Sequence, residues 1–215
     1  MPPKSTQSQI PPVPALPLGS PKVRSAFQAA RICPSERAHM EQVARLAAQL
    51  FDAAQPLHGL GPAERDLLVC AALMHDIGFA VSEQGHHKYS MRVIVKAEIP
   101  TLTRDERLIV ANVARYHRKG LPKMQHPRFA ELRPAGRKVV RALAALLRVA
   151  DGLDRIHENA VAGLALSLPS DESADLVIAG PGNLAEAGAG ALRKANLFEK
   201  TFGRRLQVRV EGDRP

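Results

Sequence analysis

Apolar positions recur at helical spacing over most of the first 150 residues, and several of these rows end on a side chain that binds metal. Val43, Ala47, Leu50, Phe51 and Ala54 form one row, predicting a helix from about Ser35 to Gln55-Pro56, with His39 on its buried face. Pro62 opens a second helix as a first-turn proline. Its inward stripe, Leu67, Ala71 and Met74, runs to His75 and Asp76 before a stop at Gly78. A third helix is expected from His86 towards Pro100, with Val93, Ile94 and Ala97 inward and the neighbouring His86 and His87 in its first turn. One of these two should face the interior and the other solvent or phosphate. Thr103 and Glu106 have the spacing of a capping box, and the helix they open buries Ile109, Val110 and Val113 on the way to His117. Pro134 starts the longest helix, where Val140, Ala144, Leu147 and Asp151 share a row.

The texture changes after about Asn159. Val161 to Leu168 and Asp175 to Ala179 read as strands, Asn183 caps a helix running to Lys200, and Leu206 to Val210 reads as a last strand. Residues 1–24 hold seven prolines among Ser, Gln and Lys and read as an extended or disordered arm. The expected organisation is an arm over 1–24, a helical domain over 25–159 and a small α+β appendix over 160–215, giving a mainly α fold.

Composition narrows the class. The chain is 45% hydrophobic and 24% charged, with 4% aromatics and no Trp, so its core must be built from Leu, Val, Ala and Ile. Cys33 and Cys70 belong to no CxxC pair, which argues against a disulfide framework or a thiolate zinc site and fits a reduced cytoplasm. No apolar run is long enough to span a bilayer. The net charge of +9 lies in one place: residues 115–148 carry ten Lys or Arg against Glu131, whereas the remainder is balanced. Such a segment suits an anionic partner, a phosphorylated small molecule or polyphosphate. The near absence of aromatic stacking platforms argues against nucleic acid. A homo-oligomer is compatible with all of this.

A single histidine on an apolar face is usually a satisfied core residue. Three such faces ending in His39, His75 and His117, together with a buried row ending in Asp151, point to one metal centre. An unpaired carboxylate at the inner end of a helix would be costly without a cation. Imidazoles and carboxylates without thiolates suit Mn, Fe, Zn, Co or Ni. A minimal site would use His39, His75, Asp76 and Asp151. His86 or His87 and His117 would add a second ion or bind phosphate, and Asp76 is the natural bridge between two ions. Asp154 and Arg155 stand close enough to Asp151 to support the ligands from behind.

The order His, His-Asp, His, Asp resembles the HD superfamily of metal-dependent phosphohydrolases, which implies an HD-domain helical bundle. Five runs sharpen the likeness: Cys33 to His39, Gly85 to Ser90, Tyr116 to Lys119, Ala150 to Arg155 and Leu197 to Gly203. They resemble the carboxy-terminal part of the exopolyphosphatase and guanosine pentaphosphate phosphatase family, over roughly residues 25–212. In that family an amino-terminal actin-like domain performs hydrolysis, so the resemblance implies the helical fold rather than the named activity. The expected function is hydrolysis of a phosphorylated small molecule, nucleotide or polyphosphate-like, by a water activated on one or two divalent ions, with Asp76 at the ions and Lys88, Arg118 and Lys119 holding phosphate. The alternative is a non-catalytic module that binds polyphosphate or a nucleotide and partners a separate actin-like phosphatase subunit.

Overall fold

A computed structural model describes residues 10–212. Its organising element is α8 (Pro134–Leu153), the longest helix, with proline in its first turn and an unbroken inner face of Ala, Leu and Val. Five helices precede it as a bundle: α1 (Pro21–Ala29), α2 (Arg37–Ala53), α4 (Pro62–Met74), α5 (His86–Lys96) and α6 (Arg104–Arg115), with the single-turn helices α3 (Gln55–His58) and α7 (Pro127–Ala130) in connections. α2, α4 and α6 pack on α8, and α1 lies against α4. The predicted capping box forms: Thr103 Oγ1 accepts from the Glu106 amide, and the Glu106 carboxylate accepts from the Thr103 amide.

Beyond α8 lie β1 (Gly163–Ser167), β2 (Ser173–Ala179), α9 (Leu184–Lys194), α10 (Asn196–Phe202) and β3 (Arg205–Val210). β1 pairs antiparallel with β2, with Leu164 opposite Ile178. β3 lies parallel to β2, with Leu176 opposite Val208, so the chain must cross over between them, and α9 and α10 make that crossover. The fold is therefore mainly α with a small α+β appendix. One hydrophobic cluster runs from Val23 and Leu50 through Leu147 to Leu176 and Phe198, so the appendix shares the core of the bundle. No helix among the described residues is long and apolar enough to cross a membrane.

Three details depart from the sequence reading. Residues 1–9 of the expected arm lie outside the described residues, but residues 10–24 are packed. The Val13 amide donates to Ala162 O at 2.7 Å, Gln49 Nε2 donates to Pro11 O at 2.7 Å, and α1 begins at Pro21. Proline content marks this segment as extended, yet Gln49 on α2 and the chain entering β1 give its backbone groups partners. Second, the helix expected from Asn183 to Lys200 is broken at Ala195 into α9 and α10. Third, Gly78 does not end a helix in the left-handed conformation. It sits in a short 3-10 turn where a Cβ would stand 2.1 Å from His86 O and 2.5 Å from Ser90 N. Glycine is needed there because α5 presses directly on the backbone that follows Asp76.

Candidate metal centre

Six of the predicted ligands converge. His39 stands in the first turn of α2, His75 caps the carboxyl end of α4 with Asp76 beside it, His86 opens α5, His117 follows α6, and Asp151 lies in the last turn of α8. All six are at most 5% exposed. Helix carboxyl ends leave carbonyls without intrahelical partners, and here the imidazoles take them up. His75 Nδ1 donates to Ala72 O at 2.7 Å and His117 Nδ1 to Ala114 O at 2.7 Å. His86 Nδ1 donates to Glu83 O at 3.2 Å, and His39 Nδ1 lies 2.8 Å from Asp154 Oδ2. With each Nδ1 committed outward as donor, every Nε2 is turned to the centre.

Asp76 divides this centre in two. On one side its Oδ2 lies 3.3 Å from His75 Nε2 and 3.9 Å from His39 Nε2, which is in turn 3.5 Å from Asp151 Oδ1. On the other side Oδ1 lies 3.2 Å from His86 Nε2 and 3.5 Å from His117 Nε2, and these two nitrogens face each other at 3.3 Å. Two ligands bound about 2.1 Å from one ion, in tetrahedral or octahedral geometry, stand about 3.0–3.4 Å apart. The inner distances fall in or near that range.

Polar satisfaction points the same way. His75 Nε2 and Asp76 Oδ1 are buried without a hydrogen-bond partner, and with Nδ1 of His75 donating to Ala72 O, its Nε2 and the ionised Asp76 oxygens are all acceptors. Two acceptor nitrogens facing each other, as His86 and His117 do, cannot satisfy one another. A cation resolves all three conflicts, so His39, His75 and Asp76, and likewise Asp76, His86 and His117, could each hold a metal ion.

Electrostatics supports this. Burial drives the His39 imidazolium down, yet hydrogen bonds to Asp151 and Asp154 and the charges of Asp151 and Asp76 outweigh it and raise the group to about 10. Burial holds His117 down at about 3, which keeps it neutral as a ligand must be. Asp76 and Asp151 are held ionised below the usual carboxylate range. Burial opposes this as the largest single influence, but His75 and His117 together outweigh it at Asp76, and Lys194, His39, His117 and His75 together outweigh it at Asp151. The centre therefore concentrates negative charge on Asp76 and Asp151 and keeps His117 neutral, whereas His39 holds a proton that a bound cation would have to displace.

The remaining predicted residues sort differently. His87 is not the solvent-facing member expected of the pair, since it is buried like His86, but it is turned away from the cluster, as adjacent residues on a helix must diverge by about 100°. It lines a separate cavity of about 180 Å³ with Lys88, Arg115, Tyr116 and Lys119, so it is not placed as a ligand. Lys88 and Lys119 lie with it on that outer wall and not at the His-Asp cluster. Arg118 does reach the centre, with Nη1 3.3 Å from His86 Nε2. Arg155 is exposed and pairs with Glu186, away from the ligands. Arg148, counted in the basic segment, is buried and clamps backbone: Nη1 reaches Tyr116 O and Lys119 O, and Nε reaches Lys194 O, each at 3.3 Å.

Two participants escaped the sequence reading. Lys194, at the end of α9, ion-pairs with Asp151 Oδ2 and leaves Oδ1 facing His39. His157 stacks on the His39 ring, centroids 3.8 Å apart and 9° from parallel, from a loop in which His157 and Asn159 both adopt positive φ. The expected helix runs on to Lys200, so nothing in the sequence marks Lys194 as a helix end or aims it at Asp151. A family model described as Ppx/GppA phosphatase, domain III, matches residues 24–197 of the chain.

Proposed function

We propose, for a chain that belongs to the family of Ppx/GppA phosphatase domain III, that the cluster around Asp76 is a two-ion centre for hydrolysis of a phosphorylated small molecule, nucleotide or polyphosphate-like. The observation that carries this reading is the splitting of Asp76: one carboxylate oxygen faces His39 and His75, the other faces His86 and His117. Mn, Fe, Zn, Co or Ni suits this donor set, and such ions supply Lewis acidity that makes water a nucleophile near neutral pH. The protein's own part is to orient the four imidazoles through their Nδ1 partners and to hold Asp151 with Lys194. It would also offer the Arg118 guanidinium as a fork for phosphate oxygens beside His86. Cys33 and Cys70 are both free and buried, as suits a reducing compartment such as the cytoplasm.

A second reading has its own support. The six cluster residues are nearly inaccessible, with His75 fully buried and His117 2% exposed, which leaves little passage for a bulky phosphate. That favours structural metal in a module that binds nucleotide or polyphosphate and partners an actin-like subunit. One experiment separates the two. Protein purified without chelators is assayed for bound metal and for phosphate release from nucleoside triphosphates and polyphosphate. About two ions per chain with metal-dependent release that Asp76→Ala abolishes supports hydrolysis. Bound metal with no release from any substrate supports the binding module.

A further inference from the structure

A cavity of about 550 Å³ lies on the other face of α8, where the α3 turn, the loop after His117 and α10 meet; none of the six metal-centre residues lines it. Its walls are apolar: Leu57, Leu60, Leu121, Leu197 and Phe202. His58 adds a flat ring whose nitrogens are both engaged, Nε2 with Phe51 O and Nδ1 with the Leu60 amide, so it presents surface and no free polar atom. Around these walls stand Lys123, Lys138, Arg141 and Lys200, with the Thr201 hydroxyl and not one acidic residue. None of the four cations forms an ion pair among the described residues, although the appendix and bundle elsewhere neutralise cations freely, as in Arg204 with Asp171 and Lys22 with Glu106.

Four like charges held around a concave apolar surface repel one another and gain most from a shared dianion. A cavity of this size, mainly apolar with a few convergent donors, has the build of a small-molecule site. The run Leu197 to Phe202 contributes four of its residues, at positions 197, 200, 201 and 202, so one short helix supplies an apolar floor, a cation, a hydroxyl and a ring. We infer that this cavity between α8 and α10 is a second ligand site, for an organic phosphate whose apolar body fills the Leu-Phe pocket while its phosphate meets Lys123, Lys138, Arg141 and Lys200. It stands independently of the metal centre and of the reading given to it.

Isothermal titration calorimetry of the full chain tests this, in buffer containing excess inorganic phosphate to saturate simple phosphate sites. The probes are octyl phosphate, as an alkyl phosphate, and adenosine monophosphate, as an aromatic one. At least one should bind, and which of them does identifies the apolar body. The surface variant Lys138→Ala with Lys200→Ala should weaken that binding at least about tenfold, since each charge-assisted contact contributes that much or more. Ala142→Phe, which fills the floor, should remove it. The proposal is overturned if neither probe binds against the phosphate background, or if binding is unchanged in the lysine double variant.

Discussion

His39 Nδ1 and Asp154 Oδ2 lie 2.8 Å apart, joining the first turn of α2 to the end of α8 across 115 residues. The second oxygen of Asp154, Oδ1, accepts the Asn159 amide at 2.8 Å and so pins the loop that stacks His157 on the His39 ring. A carboxylate behind a metal-facing imidazole fixes its tautomer and raises its basicity. Asp154→Ala should therefore weaken metal affinity about 10–100-fold, read by competition with a coloured chelator. Arg155→Ala, which only loses an exposed pair with Glu186, should leave it unchanged. Equal affinity in both variants would remove Asp154 from the account.

Among the described residues, Asp76 is the only carboxylate that faces both histidine pairs. Asp76→Ala should remove most bound metal, measured as ions per chain, while the apolar core of the bundle keeps the protein folded. Asp76→Asn should do nearly the same, since an amide supplies a neutral oxygen and a donor where two anionic acceptors are needed. Full metal content in either variant would place the ions elsewhere.

Helical periodicity made the bundle legible because α2, α4, α5, α6 and α8 each bury one stripe, and the stripes end on His39, His75, His86, His117 and Asp151. What periodicity could not carry was direction across the fold. Lys194 reads as one residue inside a helix running to Lys200, and only the packing of α9 on α8 brings it to Asp151. The pair His86 and His87 could not be resolved by spacing alone, because each choice buries one ring; the close approach of α5 at Gly78 decides it. The basic segment misled in part, since charge counting cannot tell Arg148, which clamps three carbonyls, from Lys123 and Lys138, which stand at an open cavity.

The packing of α9 on α8 should be sensitive at one glycine and tolerant at its neighbour. A Cβ on Gly190 would stand 2.1 Å from Gly152 O, and neither partner is a movable side chain. Gly190→Ala should cost about 1–3 kcal/mol from overpacking, lower Tm, and weaken metal binding, since Gly152 adjoins Asp151. At Gly188 the nearest atom is Val208 Cγ1 at 3.2 Å, the end of a side chain that can shift. There Gly188→Ala should be near neutral, because the small steric strain against Val208 is offset by roughly 1 kcal/mol of helix propensity gained. Thermal melts of the two variants side by side check this, and a Gly190→Ala protein as stable as its parent would contradict the close contact.

Burial pushes the Cys70 thiol up to about 12, with the Asp66 charge adding to the effect. The thiolate is the reactive form, so at pH 7–8 Cys70 should resist iodoacetamide in the folded protein and react once guanidinium unfolds the chain. Mass spectrometry of peptides carrying position 70 gives the answer, and rapid labelling of the native protein would mean that α4 opens far more readily than its complete burial implies.

The last expectation separates two adjacent cations. Arg118 and Lys119 follow His117 directly, but the chain turns sharply between them, with Lys119 in the left-handed region at φ 59°. Arg118 is consequently folded back, with Nη1 3.3 Å from His86 Nε2, whereas Lys119 is exposed on the outer wall beside His87 and Arg115. Only the guanidinium is placed to reach a phosphate oxygen shared with the ions. Arg118→Ala should weaken binding of phosphate or a nucleotide at the centre by about 1.5–3 kcal/mol, the worth of a charge-assisted contact, and leave metal content unchanged. Lys119→Gly, which also relieves the left-handed backbone, should leave that affinity within about twofold and raise stability slightly. Titration of metal-loaded protein with phosphate, followed by calorimetry, distinguishes the two variants. If Arg118→Ala binds as tightly as its parent, phosphate does not approach past His86, and the structural-metal reading of the centre gains.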